Sequence, residues 1–206
     1  MRVIVTSALI EKRFDERKAE YSKSLSALLS FGVAPMIVEC FLESGPCFLE
    51  KYGEVWCSSP ESLVNAYPGV NDPGLRNKGV NEGRAMIQAL TKLSGDEQVV
   101  KLTGRYLLKS PDFLFRASAS ESDCVVRYDS CGQVFAGCFS MKRDVMLRMY
   151  SSFDYPKMER EMLNVEAKIA DYIKKNALRE DRVVNIGLSA NIFGSGDRNP
   201  LIHTEW

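Results

Sequence analysis

The chain has a single histidine, no Cys-x-x-Cys pair and no excess of either charge, and each absence removes a class of function. Lys+Arg and Asp+Glu both number 27, and no basic cluster with interleaved aromatic residues occurs. A nucleic-acid-binding domain is normally basic, so nucleic acid is not expected as a partner. Six cysteines without Cys-x-x-Cys spacing, several inside apolar runs, read as buried free thiols in a reducing compartment rather than as disulfides or a zinc site. The P-loop pattern G-x-x-x-x-G-K-[ST] is missing, and no G-x-G-x-x-G turn follows the first strand, which removes two nucleotide-binding signatures. No G-x-S-x-G elbow exists, and the sole histidine, His203, lies near the end of the chain, so a serine-histidine acyl transferase is not expected. Long hydrophobic runs are absent too. Residues 1–13 reach charge after a short apolar stretch, so neither a signal peptide nor a membrane span is expected, and the reading is cytoplasmic.

What is present is an alternation of apolar, strand-forming runs with helical periodicity. Residues 2–8 (RVIVTSA) read as a buried strand. A helix follows with Phe14, Tyr21, Leu25 and Leu28 on one face and Gly32 as its stop. Residues 35–40 and 54–59 read as further strands, and a turn-rich segment covers 60–78. The sequence Asn77-Lys78-Gly79-Val80-Asn81-Glu82-Gly83-Arg84 leads into a helix with Met86, Ala89, Leu90 and Leu93 on one face. Residues 98–110 (QVVKLTGRYLLKS) then form the central strand, interrupted by Thr103-Gly104-Arg105. Such a β-α-β order argues for a mostly parallel sheet flanked by helices.

Past residue 111 the strands shorten. Segments 124–128 and 134–139 flank the turn 129–132 and read as a hairpin, which makes the sheet mixed. A short helix over 142–150 precedes a longer one beginning at Pro156, whose buried stripe is Met158, Met162, Val165, Ile169, Tyr172 and Ile173. Residues 183–188 read as the last strand, with a glycine-containing tail from 194. One domain over 1–206 is expected, and the chain could equally be one domain of a longer protein.

Ligands of open α/β sheets collect outside the carboxyl ends of the strands. The polar residues expected there are Thr6, Ser7 and Ala8, then Glu39, then Ser59, then Thr103, Gly104 and Arg105, with Asn77, Lys78 and Arg84 at the helix before the central strand. Polar groups and Glu39 would suit a base and ribose, and the cations a diphosphate. Glu166, at helical spacing from Met162 and Ile169, shares the apolar face and is either paired inside the protein or aimed into a site. Asp154 is either an acceptor-side carboxylate or a helix N-cap.

This order resembles the GT-A fold of nucleotide-sugar-dependent glycosyltransferases: a donor-binding half over about 1–110 and an acceptor half over about 111–206. The N-K-G-x-N-E-G helix entry and the K-L-T-G-R-Y strand are similar to those of small GT-A-like domains, including the domain with which large chlorella viruses glycosylate their capsid protein. The resemblance implies a hexosyltransferase that moves a sugar from a nucleotide-diphosphate donor, a UDP-sugar, to a glycan acceptor. A viral origin would place it in the host cytoplasm. The nucleoside would be held by Thr6, Ser7, Ala8, Arg13, Glu39 and Ser59, and the diphosphate by Lys78, Arg84 and Arg105. Glu166, Asp154 or Glu161 would act on the acceptor side. GT-A enzymes usually hold Mn²⁺ or Mg²⁺ through Asp-x-Asp after the central strand. Here that position reads Thr103-Gly104-Arg105, so either Arg105 replaces the metal or His203 helps bind one. Two alternatives remain: a non-catalytic GT-A-like module that binds a glycan or partner, and a sugar nucleotidylyltransferase. The absence of glycine over residues 6–13 counts against the second.

Overall fold

The computed structural model describes residues 1–7, 14–39, 50–57, 77–193 and 201–205, and at 14, 39, 50, 54–57, 190–193 and 201–205 it describes the backbone alone. The chain opens with β1 (Arg2–Ser7), α1 (Phe14–Ser30), β2 (Met36–Glu39) and β3 (Glu54–Cys57). It continues through α2 (Lys78–Lys92), β4 (Gln98–Thr103), β5 (Leu107–Leu108) and α3 (Asp112–Ala119). The second half comprises β6 (Cys124–Val126), β7 (Cys138–Lys142), α4 (Arg143–Ser151), α5 (Tyr155–Glu161) and α6 (Val165–Lys175). It closes with β8 (Glu180–Arg182), β9 (Leu188–Phe193) and β10 (Leu201–Glu205).

Seven strands form one sheet in the order β3-β2-β1-β4-β7-β6-β8. The first four run parallel, while β7 is antiparallel to both β4 and β6. The expected mixed, mostly parallel sheet is therefore present. Because side chains alternate along a strand, each buried strand feeds two cores. Val3, Val5, Val100 and Leu102 pack with Tyr21, Leu25 and Leu28 of α1 and with Phe113 and Leu114 of α3. Ile4 and Val99 face the other way, onto α2 and the helices α4 and α6. α1 ends as expected at Gly32, whose φ of 76° is left-handed.

Four expectations change. The run 98–110 is not one strand: β4 stops at Thr103, and β5 joins a second, three-stranded sheet in the order β10-β9-β5. The expected strand over 183–188 is displaced: residues 183–187 connect β8 and β9, and only Leu188 belongs to β9. The C-terminal tail includes a strand, with His203 opposite Asn191 in an antiparallel pair. The long helix after Pro156 is two helices. Met162 adopts a left-handed φ of 51° and is 49% exposed, and Asn164 caps α6 by accepting from the Glu166 amide at 2.8 Å. The apolar spacing had bridged a break that the cap residue announces. The hairpin stands with its second strand shifted to Cys138–Lys142, and Asp129 accepts from the amides of Cys131 and Gln133 in the turn.

Cys124 and Cys138 are buried free thiols and Cys131 is an exposed one; burial pushes the Cys124 thiol up to about 12. Cys40 lies outside the described residues, as does Cys47. Among the described residues no helix is long and apolar enough to cross a membrane.

Candidate functional site

The parallel register brings the strand ends to one edge: Ser7 opposite Glu39, Glu39 opposite Cys57, and Thr6 opposite Thr103. Alternation then sets which side chains meet below that edge. In β1 the α2-facing positions are Ile4 and Thr6; in β4 they are Val99, Lys101 and Thr103. Lys101 is 1% exposed, a full charge inside a core. Its ammonium donates to Glu82 Oε1 at 2.6 Å, to Thr103 Oγ1 at 2.9 Å and to the Ala136 carbonyl at 2.6 Å. The three bonds use every donor that the group has. Thr6 Oγ1 donates to the same Glu82 oxygen at 2.6 Å. Glu82 rises from the second turn of α2, one helical turn before Met86, and thus shares that helix's buried face.

Glu166 enters from α6, half-buried. Burial is the main cause that raises its pKa; the nearby Glu82 carboxylate raises it further, and the Lys101 ammonium opposes both. The buried Tyr150 hydroxyl lies in the same field and is held protonated, chiefly by burial and next by Glu82. Thr6, Glu82, Lys101 and Thr103 therefore join β1, α2 and β4 under the carboxyl edge, and Glu166 of α6 lies within their electrostatic reach.

The residues anticipated from the sequence fall into distinct places. Thr6, Ser7, Thr103, Gly104 and Arg105 are at the edge, but Thr6 and Thr103 use their hydroxyls on Glu82 and Lys101. Gly104 donates its amide to the Thr6 carbonyl at 2.8 Å, and a Cβ there would lie 2.8 Å from Tyr21 and Val5. The glycine is thus accounted for by packing against α1 and β1. Arg105 is half-buried, its guanidinium 5.6 Å from the Tyr106 ring centroid. Lys78 is exposed at the first position of α2, and Arg84 lies 5.7 Å over the Tyr155 ring. Asn77 has a structural role in the helix entry. It caps α2 through Gly79 N at 3.1 Å, and its amide donates to the carbonyls of Met158 at 3.0 Å and Leu163 at 2.9 Å.

Two acceptor-side candidates have local partners. The Asp154 carboxylate caps α5, accepting from Lys157 N at 2.9 Å. It lines an outward groove of about 470 Å³ with Phe153, Lys168, Asp171 and Tyr172, on the side of α6 opposite Glu166. Glu161 is exposed and paired with Arg160 at 3.2 Å. Among the described residues neither carboxylate bonds to the Glu82–Lys101 group. Ala8, Arg13 and Ser59 lie outside the described residues, and for Glu39 and His203 only the backbone is described.

A divalent cation does not fit the position after β4, where a guanidinium stands in place of carboxylates. Among the described residues, no three His, Cys, Asp or Glu side chains converge as a metal site. Glu82 and Lys101 were legible but passed over: a lone lysine inside an apolar strand, and a glutamate at the spacing of Met86, Ala89 and Leu93.

The sequence matches no protein-family model and no curated protein. Solved structures are similar in fold. The inositol-1-phosphate CTP transferase from T. maritima superposes with a TM-score of 0.54 at 14% identity, over 89% of this chain and 84% of that one. The galactosyltransferase LgtC, in complex with donor and acceptor sugar analogs, gives 0.55 at 10% identity over 89% and 73%. A glycosyltransferase involved in glycosylation of the major capsid of PBCV-1 gives 0.46 at 9% identity over 89% and 82%, too distant to carry an argument. At these identities the likeness shows the fold alone: that of GT-A-like glycosyltransferases and nucleotidyltransferases.

Proposed function

We propose that the protein is a glycosyltransferase that moves a hexose from a nucleotide-diphosphate donor, a UDP-sugar, to a glycan acceptor. The observation that carries this reading is the polar edge itself. In-register strand ends meet the Glu82–Lys101 pair, within electrostatic reach of Glu166, in a fold shared by enzymes that handle nucleotide-linked substrates. The nucleoside would lie across Ser7, Ala8, Arg13, Glu39 and Ser59. Lys78, Arg84 and Arg105 would neutralise the diphosphate, whose charge grows as it leaves. Glu166 would act on the acceptor hydroxyl: its environment raises its affinity for a proton, which suits a general base.

The fold equally serves nucleotidylyl transfer, so the test must separate the two. The connection after β1 has no glycine to let backbone amides close on a triphosphate, which favours sugar transfer. The protein is incubated with UDP-glucose or UDP-galactose, with and without oligosaccharide acceptors, and UDP release is followed. In parallel it receives CTP or UTP with a sugar 1-phosphate, and pyrophosphate is followed. UDP release that rises with acceptor is the expected result. Pyrophosphate release instead would make the protein a nucleotidylyltransferase, and neither product would leave a binding module.

A further inference from the structure

The Glu82–Lys101 pair does more than join α2 to the sheet. A buried ion pair that serves only to join elements contributes little over apolar residues of the same size. This pair is also asymmetric. Both donors, the Lys101 ammonium and the Thr6 hydroxyl, go to Oε1 of Glu82. Oε2 accepts no hydrogen bond among the described residues, and the side chain is 24% exposed. One oxygen is therefore clamped from two sides, and the other is left to accept beside Thr6 and Thr103, where β1 and β4 end.

The charges limit what that oxygen can take. Lys101 balances the carboxylate, so the site has little net pull on a further cation. A phosphate would be repelled by the carboxylate. A neutral hydroxyl suits it, since hydrogen bonds to a charged acceptor are the stronger kind.

We propose that Glu82 is a hydroxyl-binding carboxylate of this edge, accepting a hydrogen bond through Oε2 from the sugar of the donor, with Lys101 and Thr6 as the positioning residues that fix it. The inference rests on the donor-site reading above and adds the residue that distinguishes a sugar-bearing nucleotide from the bare diphosphate. No covalent step is involved. Glu82 binds and orients, and the hydroxyl keeps its proton.

The discriminating quantity is the ratio of affinities for UDP-sugar and UDP, which a purely structural role would not move. UDP, UDP-glucose and UDP-galactose are titrated calorimetrically into the wild type, Glu82→Gln, Thr6→Val and the double variant Glu82→Leu with Lys101→Met. Thermal unfolding of each is recorded alongside. The double variant replaces the pair by apolar groups and leaves no orphaned charge, so it keeps the test valid if Glu82→Gln folds poorly.

The double variant is expected to weaken a UDP-sugar by about tenfold or more, the range for a hydrogen bond to a charged group, while UDP is held within twofold. Glu82→Gln and Thr6→Val should shift the ratio in the same direction by less. If UDP and UDP-sugar weaken equally, or neither changes, Glu82 is only a structural partner of Lys101 and the inference is overturned. If the unmutated protein binds none of the three nucleotides, the donor-site reading fails first, and the assignment of Glu82 falls with it.

Discussion

Glu166 and Lys101 show what burial does to a charge at residue scale. Lys101 is matched bond for bond, whereas Glu166 is half-buried and feels the charge of another carboxylate, Glu82. Burial, with Glu82 adding to it, holds the Glu166 proton more tightly than in the unfolded chain, where its pKa is near 4.5. Between that value and the raised one the native state binds the extra proton, so the contribution of Glu166 to stability falls as pH rises through the window. Glu166→Gln removes the charged form. The variant is expected to unfold at a higher temperature than the wild type at pH 7, with the difference vanishing by about pH 4. If Glu166 is the base, the same variant loses about 10²-fold or more in transfer rate while UDP affinity is unchanged. A variant that melts identically at both pH values would mean that Glu166 is not desolvated. One that keeps full transfer would remove it from the chemistry.

At the scale of elements, the entry of α2 is the joint of the second half. Asn77 caps α2 and holds the α5–α6 turn through the carbonyls of Met158 and Leu163, and its backbone N–H donates to the Glu159 carboxylate at 2.9 Å. A Cβ on Gly83 would lie 2.7 Å from the Tyr155 hydroxyl, so a larger residue there would push that side chain of α5 aside. Asn77→Ala deletes a cap worth about 1 kcal/mol and both side-chain donations to the α5–α6 turn, leaving the Leu163 carbonyl without its donor. Loss of about 2–4 kcal/mol is expected, read as a lower urea midpoint at unchanged slope. A loss under about 0.5 kcal/mol would show that the joint does not depend on this residue. The sequence announced this helix and its neighbours but not their joint. Met86, Ala89, Leu90 and Leu93 repeat with the helical period, which periodicity detects, whereas the reach of Asn77 to residues 158 and 163 spans over eighty positions. The break at Met162 was missed for the converse reason. Met158, Met162 and Val165 have helical spacing, yet Asn164 restarts the helix and leaves Met162 exposed.

For the molecule as a whole, β1, α1, β2, β4 and the parallel pairing were legible because apolar runs and stops are local. The second sheet was not: β5 is two residues long, and its partner β9 lies some eighty positions away. The site was half legible. The edge follows from strand direction, so Thr6 and Thr103 were placed correctly, but their hydroxyls turn inward to Glu82 and Lys101. In the proposed donor site, the residue that would face a diphosphate at the end of β4 is Arg105, in a position that Asp-x-Asp would fill in a metal-dependent transferase. A guanidinium brings its own charge and a planar fork for phosphate oxygens. UDP is therefore expected to bind without added metal, and Arg105→Ala to weaken it by about 1.5–3 kcal/mol in a calorimetric titration. Adding Mn²⁺ should change neither value, because a cation would meet a guanidinium where it needs carboxylates. Should UDP bind only with Mn²⁺ and ignore Arg105→Ala, charge neutralisation belongs to a metal held elsewhere, and His203 becomes the next residue to replace. Should UDP, GDP and dTDP all fail to bind with or without Mn²⁺, the edge is not a donor site, and the fold here serves a binding module.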